Sequence, residues 1–433
     1  MLTYSKLGLG AALALAVTVP AFANGEPAGA VTFAKDVLPI FHKNCVGCHR
    51  PGGDSIAGMV APMSLMNFEE ARPWAKAIEK MVTSKLMPPW YASEETHGVF
   101  ANERGLTPEQ IELVATWVRT GAKLGNPADA PASPVFPETG GWLIGNPDLI
   151  VPIKEPYWVE DDVVDEYVYF SVKITPEMLP EDRWLRAIEW RPDSDVVHHI
   201  VGSELFTADG KMGYQGMGSI APGEEPHVFE EGYGKRLHAG SVLRFSMHYH
   251  KEPGKGSGRW DQSSVGFRFW DDEKDPPIKH NMIWTGISNG TFEIPPGQSD
   301  WQVGAAMTFE RDALVVSLHP HMHLRGKDAT YFAVLPDGSR EQLLRVPSWD
   351  FAWQLDYTFK EPRRFPKGTR IEFVVTYDNS TANAANPDAT VPVHWGGPTT
   401  DEMMIGFMHY TDAEPRDFAA EAAAKPDAAK STD

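Results

Sequence analysis

The stretch Cys45-Val46-Gly47-Cys48-His49 holds both cysteines of this 433-residue chain. In a C-x-x-C-H spacing the two thiols can form thioethers to the vinyl groups of a haem, and the histidine then lies beneath the iron as an axial ligand. A chance motif or half of a zinc site is the alternative for Cys45, Cys48 and His49. An export leader, the lack of other cysteines and a helical flanking sequence favour covalently bound haem c.

Helical patterns follow this motif in the sequence. Residues 69–82 have helical spacing, and Thr107 to Gln110 form a capping box with proline in the first turn of a last helix. That helix is expected to end near Gly121. Residues 24–125 therefore predict a small all-α domain, and this domain resembles the class I cytochromes c.

The resemblance to class I cytochromes c implies a methionine downstream of the motif as the sixth iron ligand. We favour Met87, because it lies in a turn stiffened by Pro88 and Pro89. Core packing is the alternative for every candidate. The methionines that compete for this position are Met59, Met63, Met66, Met81 and Met87.

The N-terminus has the features of a secretory leader. Lys6 precedes an apolar run over residues 7–19, and residues 21–23 form a small-x-small cleavage site. Because the run is too short to span a membrane comfortably, we expect a cleaved signal peptide, residues 1–23, rather than an anchor, and no membrane span in the mature chain. Covalent haem attachment of this kind needs an exported chain, so we predict a periplasmic or secreted bacterial protein.

The net charge of −20 argues against nucleic acid and anionic membranes as partners. With both cysteines used by haem, no thiolate is left for a blue-copper or dinuclear thiolate-copper centre. No disulfide can form either, so we expect stability to come from burial.

From about residue 142 the pattern changes to short β-branched and aromatic runs separated by Pro and Gly, which predicts antiparallel β-sandwiches. The Ala- and Pro-rich residues 126–141 are typical of a linker, and residues 416–433 of a flexible tail. The clearest strand candidates are residues 167–174, 242–250, 265–270, 313–323, 370–377 and 403–410.

Histidines of the β region fall in clusters. Neighbours on a regular strand point to opposite faces, so His198 and His199 can reach one ion only if the strand ends or bulges there. Otherwise one would pack and the other would be exposed. In residues 242–250, His248 and His250 share the face opposite the apolar one.

The next cluster has three histidines on one strand face, His319, His321 and His323. An H-x-H pair on a strand is a natural chelate, with the two residues about 7 Å apart along the strand, and Pro320 weakens local pairing. A solvated histidine stripe is the alternative. Met403 would normally be a core residue, but a thioether added to imidazoles favours Cu(I) over zinc.

In chain order these motifs are HHI, HYH, H-x-H-L-R-G-K and DEM, accompanied by YDN at 377–379 and WGG at 395–397. With this ordered set, residues 142–412 resemble the ascorbate-dependent type II copper monooxygenases, the family of dopamine β-monooxygenase and peptidylglycine α-hydroxylating monooxygenase. The resemblance implies two jelly-roll domains, residues 142–285 and 286–415, which face each other across a solvent-filled cleft and carry one copper ion each.

The resemblance also assigns ligands to the two copper ions. The ligands of the electron-transfer copper are His198, His199 and His248. The catalytic ligands of the oxygen-activating copper are His321, His323 and Met403. Two histidines, His250 and His319, have no counterpart among the family's copper ligands. We expect them beside the sites or on the surface.

Three positions depart from the peptide-amidating branch, which binds a substrate carboxylate with Arg, Asn and Tyr. His319, Ile405 and Phe407 stand at the corresponding positions. A C-terminal glycine peptide is therefore not the expected substrate. The apolar pair Ile405 and Phe407 favours a more hydrophobic one.

Together the motifs predict a copper-dependent monooxygenase that hydroxylates a C–H bond of a small molecule with O₂. Electrons would arrive through the haem from a periplasmic donor, either a cytochrome or a quinol-linked protein. The haem would replace or supplement ascorbate or another external reductant. The alternative is a periplasmic haem and copper electron-transfer or copper-binding protein without oxygenase activity. A copper–haem reductase of a small oxyanion is disfavoured, because a methionine-containing site matches an O₂-activating copper.

Overall fold

The structure is a computed structural model. It describes residues 29–51, 61–136, 141–208, 210–221, 224–271, 275–418 and 420. The predicted signal peptide, Met59 and most of the predicted tail lie outside the described residues. Within the described ranges, no helix is long and apolar enough to cross a membrane.

The N-terminal part is a small helical domain on one core. Its α-helices are α1 (Leu38–Asn44), α2 (Phe68–Ala71), α3 (Ala75–Thr83) and α4 (Pro108–Arg119). The predicted helix over 69–82 is divided by a 3₁₀ turn, Arg72–Trp74, because Pro73 has no N–H for the α-helical ladder. The predicted capping box of α4 is present: the Thr107 hydroxyl accepts from the Gln110 N–H at 3.3 Å, and the Gln110 side chain accepts from the Thr107 N–H at 2.9 Å.

The first β unit comprises twelve strands of the described chain. They are β1 (Leu149–Pro152), β2 (Tyr157–Val159), β3 (Asp165–Lys173), β4 (Arg183–Arg191), β5 (Val197–Ala208), β6 (Lys211–Ile220), β7 (His227–Val228), β8 (Tyr233–Leu237), β9 (Val242–His250), β10 (Arg259–Asp261), β11 (Ser264–Phe269) and β12 (His280–Asn281). Two sheets, β1-β11-β4-β8-β12 and β3-β9-β5-β6, contribute to one core. Trp190 of one sheet meets Phe245 of the other edge to face, with ring centroids 5.0 Å apart.

The second β unit follows the same plan with ten described strands. They are β13 (Ile283–Ser288), β14 (Glu293–Ile294), β15 (Trp301–Thr308), β16 (Ala313–His321), β17 (Gly326–Val334), β18 (Arg340–Val346), β19 (Tyr357–Phe365), β20 (Arg370–Tyr377), β21 (Val393–His394) and β22 (Ile405–Asp412). Sheets β13-β22-β16-β19 and β15-β20-β17-β18 share a second core. Strand β13 pairs with β22, so this unit begins at Ile283 and the predicted boundary after residue 285 falls inside a strand.

The chain after the helical domain is therefore a large all-β region. Its strands pair antiparallel apart from the short β12–β8 pair. This arrangement confirms the predicted class of a small helical domain followed by antiparallel β-structure. The jelly-roll topology stays a prediction.

A segment of the helical domain is built into the second β core. Phe100 is fully buried there, and its ring centroid is 5.1 Å from that of Phe359. Backbone bonds fix the segment, including one from Ala101 N–H to the Thr358 carbonyl at 2.7 Å. Besides the predicted linker over 126–141, residues 90–101 thus also join the helical domain to the second β unit.

Candidate haem cavity and histidine clusters

An apolar cavity of about 250 Å³ lies beside the C-x-x-C-H stretch and is lined by Cys45, Cys48 and His49. His49 Nδ1 is 3.1 Å from the Met63 carbonyl oxygen. Nδ1 therefore carries the proton, and Nε2 keeps a lone pair for an axial bond. Burial lowers the pKa of His49 against the raising effect of that hydrogen bond. The donors fit a covalently bound haem.

Three of the five competing methionines line this cavity. They are Met63, Met81 and Met87. Met66 packs against the helical core instead, and Met59 lies outside the described residues. Met87 as the sixth ligand stays a prediction, with Met63 and Met81 as its competitors among the described residues.

The side chains of His198, His199 and His248 converge. The Nδ1 atoms of His198 and His248 each lie 3.2 Å from Nδ1 of His199. The register of β5 on β9 shifts between Val197 and His199. This is the bulge that two successive histidines need if they are to reach one ion.

Asp165 on β3 orients this cluster. Its Oδ1 accepts a hydrogen bond from His248 Nε2, and its Oδ2 accepts from the Thr399 N–H at 2.8 Å and hydroxyl at 3.1 Å. Burial opposes ionisation of Asp165, but hydrogen bonds from His248 and His250 outweigh it and hold its pKa below the ordinary value. With its proton on Nε2, His248 presents the Nδ1 lone pair to the other two rings.

The three rings of the first cluster are neutral at neutral pH. Burial, and then the neighbouring imidazoles, lowers the pKa of His198 to about 3 and that of His199 well below its ordinary value. Burial also lowers the pKa of His248. Three neutral imidazoles with ligand atoms within 4.8 Å of one another form a nitrogen site that suits copper or zinc.

The second cluster lies at the end of β16. The rings of His321 and His323 are 5.3 Å apart at 90°. Nδ1 of His321 is 2.6 Å from Gln354 Oε1, and Nδ1 of His323 is 3.2 Å from the Asp401 carbonyl. Their Nε2 atoms are therefore the available ligand atoms, and Nε2 of His323 is buried with no hydrogen-bond partner among the described residues. An unsatisfied buried nitrogen of this kind fits a cation.

Glu402 ties the D-E-M segment to this cluster. Its buried carboxylate accepts the backbone N–H of His323 at 2.8 Å and that of Arg325 at 2.6 Å. The D-E-M and H-x-H motifs are thus joined through the residue before the methionine. His319, His321 and His323 are all buried, so they do not form a solvated stripe.

A cavity of about 390 Å³ lies between the β units, and both histidine clusters contribute to its lining. His199 and His321 have ring centroids 6.0 Å apart. The resemblance implied a solvent-filled cleft between the sites, whereas here the two clusters touch. Met403 also lines this cavity, beside the stacked rings of Trp284 and Phe407, whose centroids are 4.5 Å apart.

One loop, residues 350–356, reaches the haem cavity and both clusters; we call it the linking loop. Trp353 lines the haem cavity. Phe351 stacks on His198, with ring centroids 4.7 Å apart at 12°, and Gln354 bonds His321. None of these loop residues carries a motif, and their role is visible only once β18 and β19 are placed.

Comparison with known protein families identifies the N-terminal part of the chain. Residues 35–122 match the family model described as cytochrome c. This part of the chain is therefore a cytochrome c domain, which implies covalently bound haem c and electron transfer to and from partners. No curated protein matches the chain.

The solved structures that resemble the chain do so weakly. The cowpea mosaic virus top component has 6% identity and a TM-score of 0.26, with 59% of this chain and 92% of that chain covered. PNGF-II has 9% identity and a TM-score of 0.26, with 62% and 65% covered. A two-domain protein of unknown function from Bacteroides fragilis has 10% identity and a TM-score of 0.15, with 57% and 85% covered. These similarities carry no functional argument.

Proposed function

We propose that the protein is an exported copper-dependent monooxygenase that hydroxylates a C–H bond of a small molecule with O₂, its electrons delivered through the covalent haem. We further propose that its β units are jelly rolls. The observation that carries the proposal is the linking loop, because one short segment touches the haem cavity and both histidine clusters.

The donor sets fit copper at both clusters. Three imidazoles suit an ion that cycles between Cu(II) and Cu(I), and two imidazoles with a thioether favour Cu(I). The proposed ligands are His198, His199 and His248 at one cluster, and His321, His323 and Met403 at the other. Copper would supply one-electron redox chemistry and O₂ activation there, and the haem would supply single electrons.

The chain's own groups prepare the rings for binding. Asp165, Gln354 and the Asp401 carbonyl each hold one imidazole N–H. Each bond fixes a tautomer and turns the opposite lone pair toward the proposed ion. No proton has to leave a neutral imidazole before it binds.

The cavity between the β units is the proposed substrate site. Trp284, Ile405 and Phe407 supply apolar wall next to Met403. These side chains would hold a hydrophobic group beside the second cluster and exclude water from it. This supports a small hydrophobic substrate rather than a charged peptide end.

The first experiment tests the electron path. Anaerobic protein with reduced haem is mixed with Cu(II), and haem oxidation is followed by stopped-flow absorbance. We expect oxidation on the turnover timescale and a slower rate in Trp353→Leu. Trp349→Leu is the matched control, because Trp349 packs against the second β core and is not part of the haem cavity lining.

The outcomes separate the candidate functions. No haem oxidation, or equal slowing in both tryptophan variants, would rule out the linking loop as the path. Haem oxidation without product-coupled O₂ uptake would indicate an electron carrier. Unchanged O₂ uptake in copper-loaded His321→Ala or Met403→Ala would exclude the second cluster as the oxygenase site.

A further inference from the structure

A third group of ligand-type side chains lies where the two β units meet. Glu224, His319 and Asp356 place their ligand atoms within 4.8 Å of one another. His319 Nδ1 is 3.5 Å from Glu224 Oε1 and 3.8 Å from Asp356 Oδ1. Glu224 follows β6 of the first unit, whereas His319 on β16 and Asp356 before β19 belong to the second.

The group is buried and its hydrogen bonding is incomplete. Glu224, His319 and Asp356 are 1%, 4% and 9% exposed. His319 Nδ1 has no hydrogen-bond partner among the described residues, and neither has the buried Nε2 of His227, which lies 4.0 Å from Glu224 Oε1. Two carboxyl groups and two such nitrogens facing one another are costly to bury without a shared cation or proton.

Glu224 is held in place for this arrangement. The Ser219 hydroxyl donates to its Oε1 at 2.9 Å, and the Ala221 N–H donates to its Oε2 at 2.8 Å. These bonds direct the carboxylate while Oε1 keeps a further lone pair toward His319. Carboxylates supported in this way are typical metal ligands.

We propose that Glu224, His319 and Asp356, with His227 within reach, bind a third metal ion that joins the two β units. The donors are carboxylates and imidazole without a thioether, a set that suits divalent zinc rather than Cu(I). A Zn²⁺ ion would neutralise the two carboxylates and use the unpartnered His319 nitrogen. The site does not depend on copper at the other clusters.

Zinc quantification in the full-length haem protein tests this site. Cu(I) is added first, without oxygen, to fill the histidine clusters, then Zn²⁺ alone, and the desalted protein is analysed by elemental mass spectrometry. We expect one zinc per haem. Loss of an outer-sphere partner lowers metal affinity by up to about 100-fold. Because Glu224 and Asp356 are proposed as direct ligands, we expect the zinc affinity of Glu224→Gln or Asp356→Asn to fall by at least that factor. Glu225→Gln is the matched control, because its carboxylate pairs with Arg104 outside the group, at 2.8 Å.

The competing explanation is a proton shared by the two carboxyl groups. In that case wild-type protein takes up no zinc and shows no zinc-dependent rise in Tm, which overturns the proposal. Equal zinc affinity in Glu224→Gln and Glu225→Gln also overturns it. If Glu224→Gln does not fold, two other measurements distinguish a bound zinc ion from a shared proton. They are the zinc affinity of Asp356→Asn and the Tm of wild-type protein with and without Zn²⁺. His248→Ala should lose copper and keep this zinc, so failure of the copper assignment is recognised separately.

Discussion

Replacement of Asp165 by asparagine should weaken copper binding at the cluster of His198, His199 and His248. Asp165 accepts hydrogen bonds on both oxygens, from His248 at one and from Thr399 at the other. Asparagine has one acceptor oxygen, so its NH₂ group must face one of these donors. If it faces His248, the ring proton moves to Nδ1 and blocks the proposed ligand atom; if it faces Thr399, the contact that fixes residue 165 is lost.

The magnitude follows from the carboxylate's position behind a ligand. Loss of such an outer-sphere partner lowers metal affinity by about 10- to 100-fold, or about 1.4 to 2.8 kcal/mol. Glu166→Gln is the matched control. It changes the next residue of β3, whose carboxylate accepts from the Tyr157 hydroxyl at 3.0 Å and does not contact the cluster's rings.

The assay is anaerobic competition for Cu(I) between the protein and a chromophoric chelator. The haem spectrum and the Tm of each variant show whether it is folded. A Cu(I) affinity of Asp165→Asn within twofold of wild type would refute the role given to this carboxylate, as would an equal loss in Glu166→Gln.

Three stability predictions concern other parts of the chain. Phe100→Ala should lower the free energy of unfolding by about 3 to 5 kcal/mol, because the ring fills the second β core; a loss below about 1 kcal/mol in chemical denaturation would contradict that burial. Burial lowers the pKa of Lys235 from 10.5 to about 8, so the penalty of its charge in the folded state is fully present below pH 8 and is relieved as pH rises toward 10.5. Lys235→Met should therefore be more stable than wild type at pH 7, by up to about 3 kcal/mol in the free energy of unfolding, and should have a higher Tm. This advantage should shrink above pH 8, and a pH-independent difference would be inconsistent with the burial of the charge. Thr107→Ala removes the α4 cap and should cost about 1 kcal/mol, seen as earlier melting of the helical domain; the control Thr120→Ala should cost less, since Thr120 lies at the other end of α4.

Local signals carried most of the fold prediction. The capping box at Thr107 and the strand patterns depend on neighbouring residues, and the structure contains both. The sequence also showed that His198 and His199 require an irregular strand. It could not place the bulge, because the shift arises from the pairing of β5 with β9, whose His248 is far along the chain.

The unpredicted parts of the site are contacts between distant segments. Asp165 precedes His248 by 83 residues, and Gln354 follows His321 by 33. A lone Asp or Gln in such a position has no distinguishing pattern. The same holds for Phe100, which looks like a loop residue of the helical domain until the second β core is assembled around it.

The shared wall of the haem cavity also imposes an order of maturation. Trp353 of the linking loop lines the cavity, and Phe100 anchors the helical domain in the second β core. Haem ligation needs access to both thiols, so we expect it to precede the docking of the linking loop against this cavity. On that expectation, haem is attached before the helical domain and the second β unit come together.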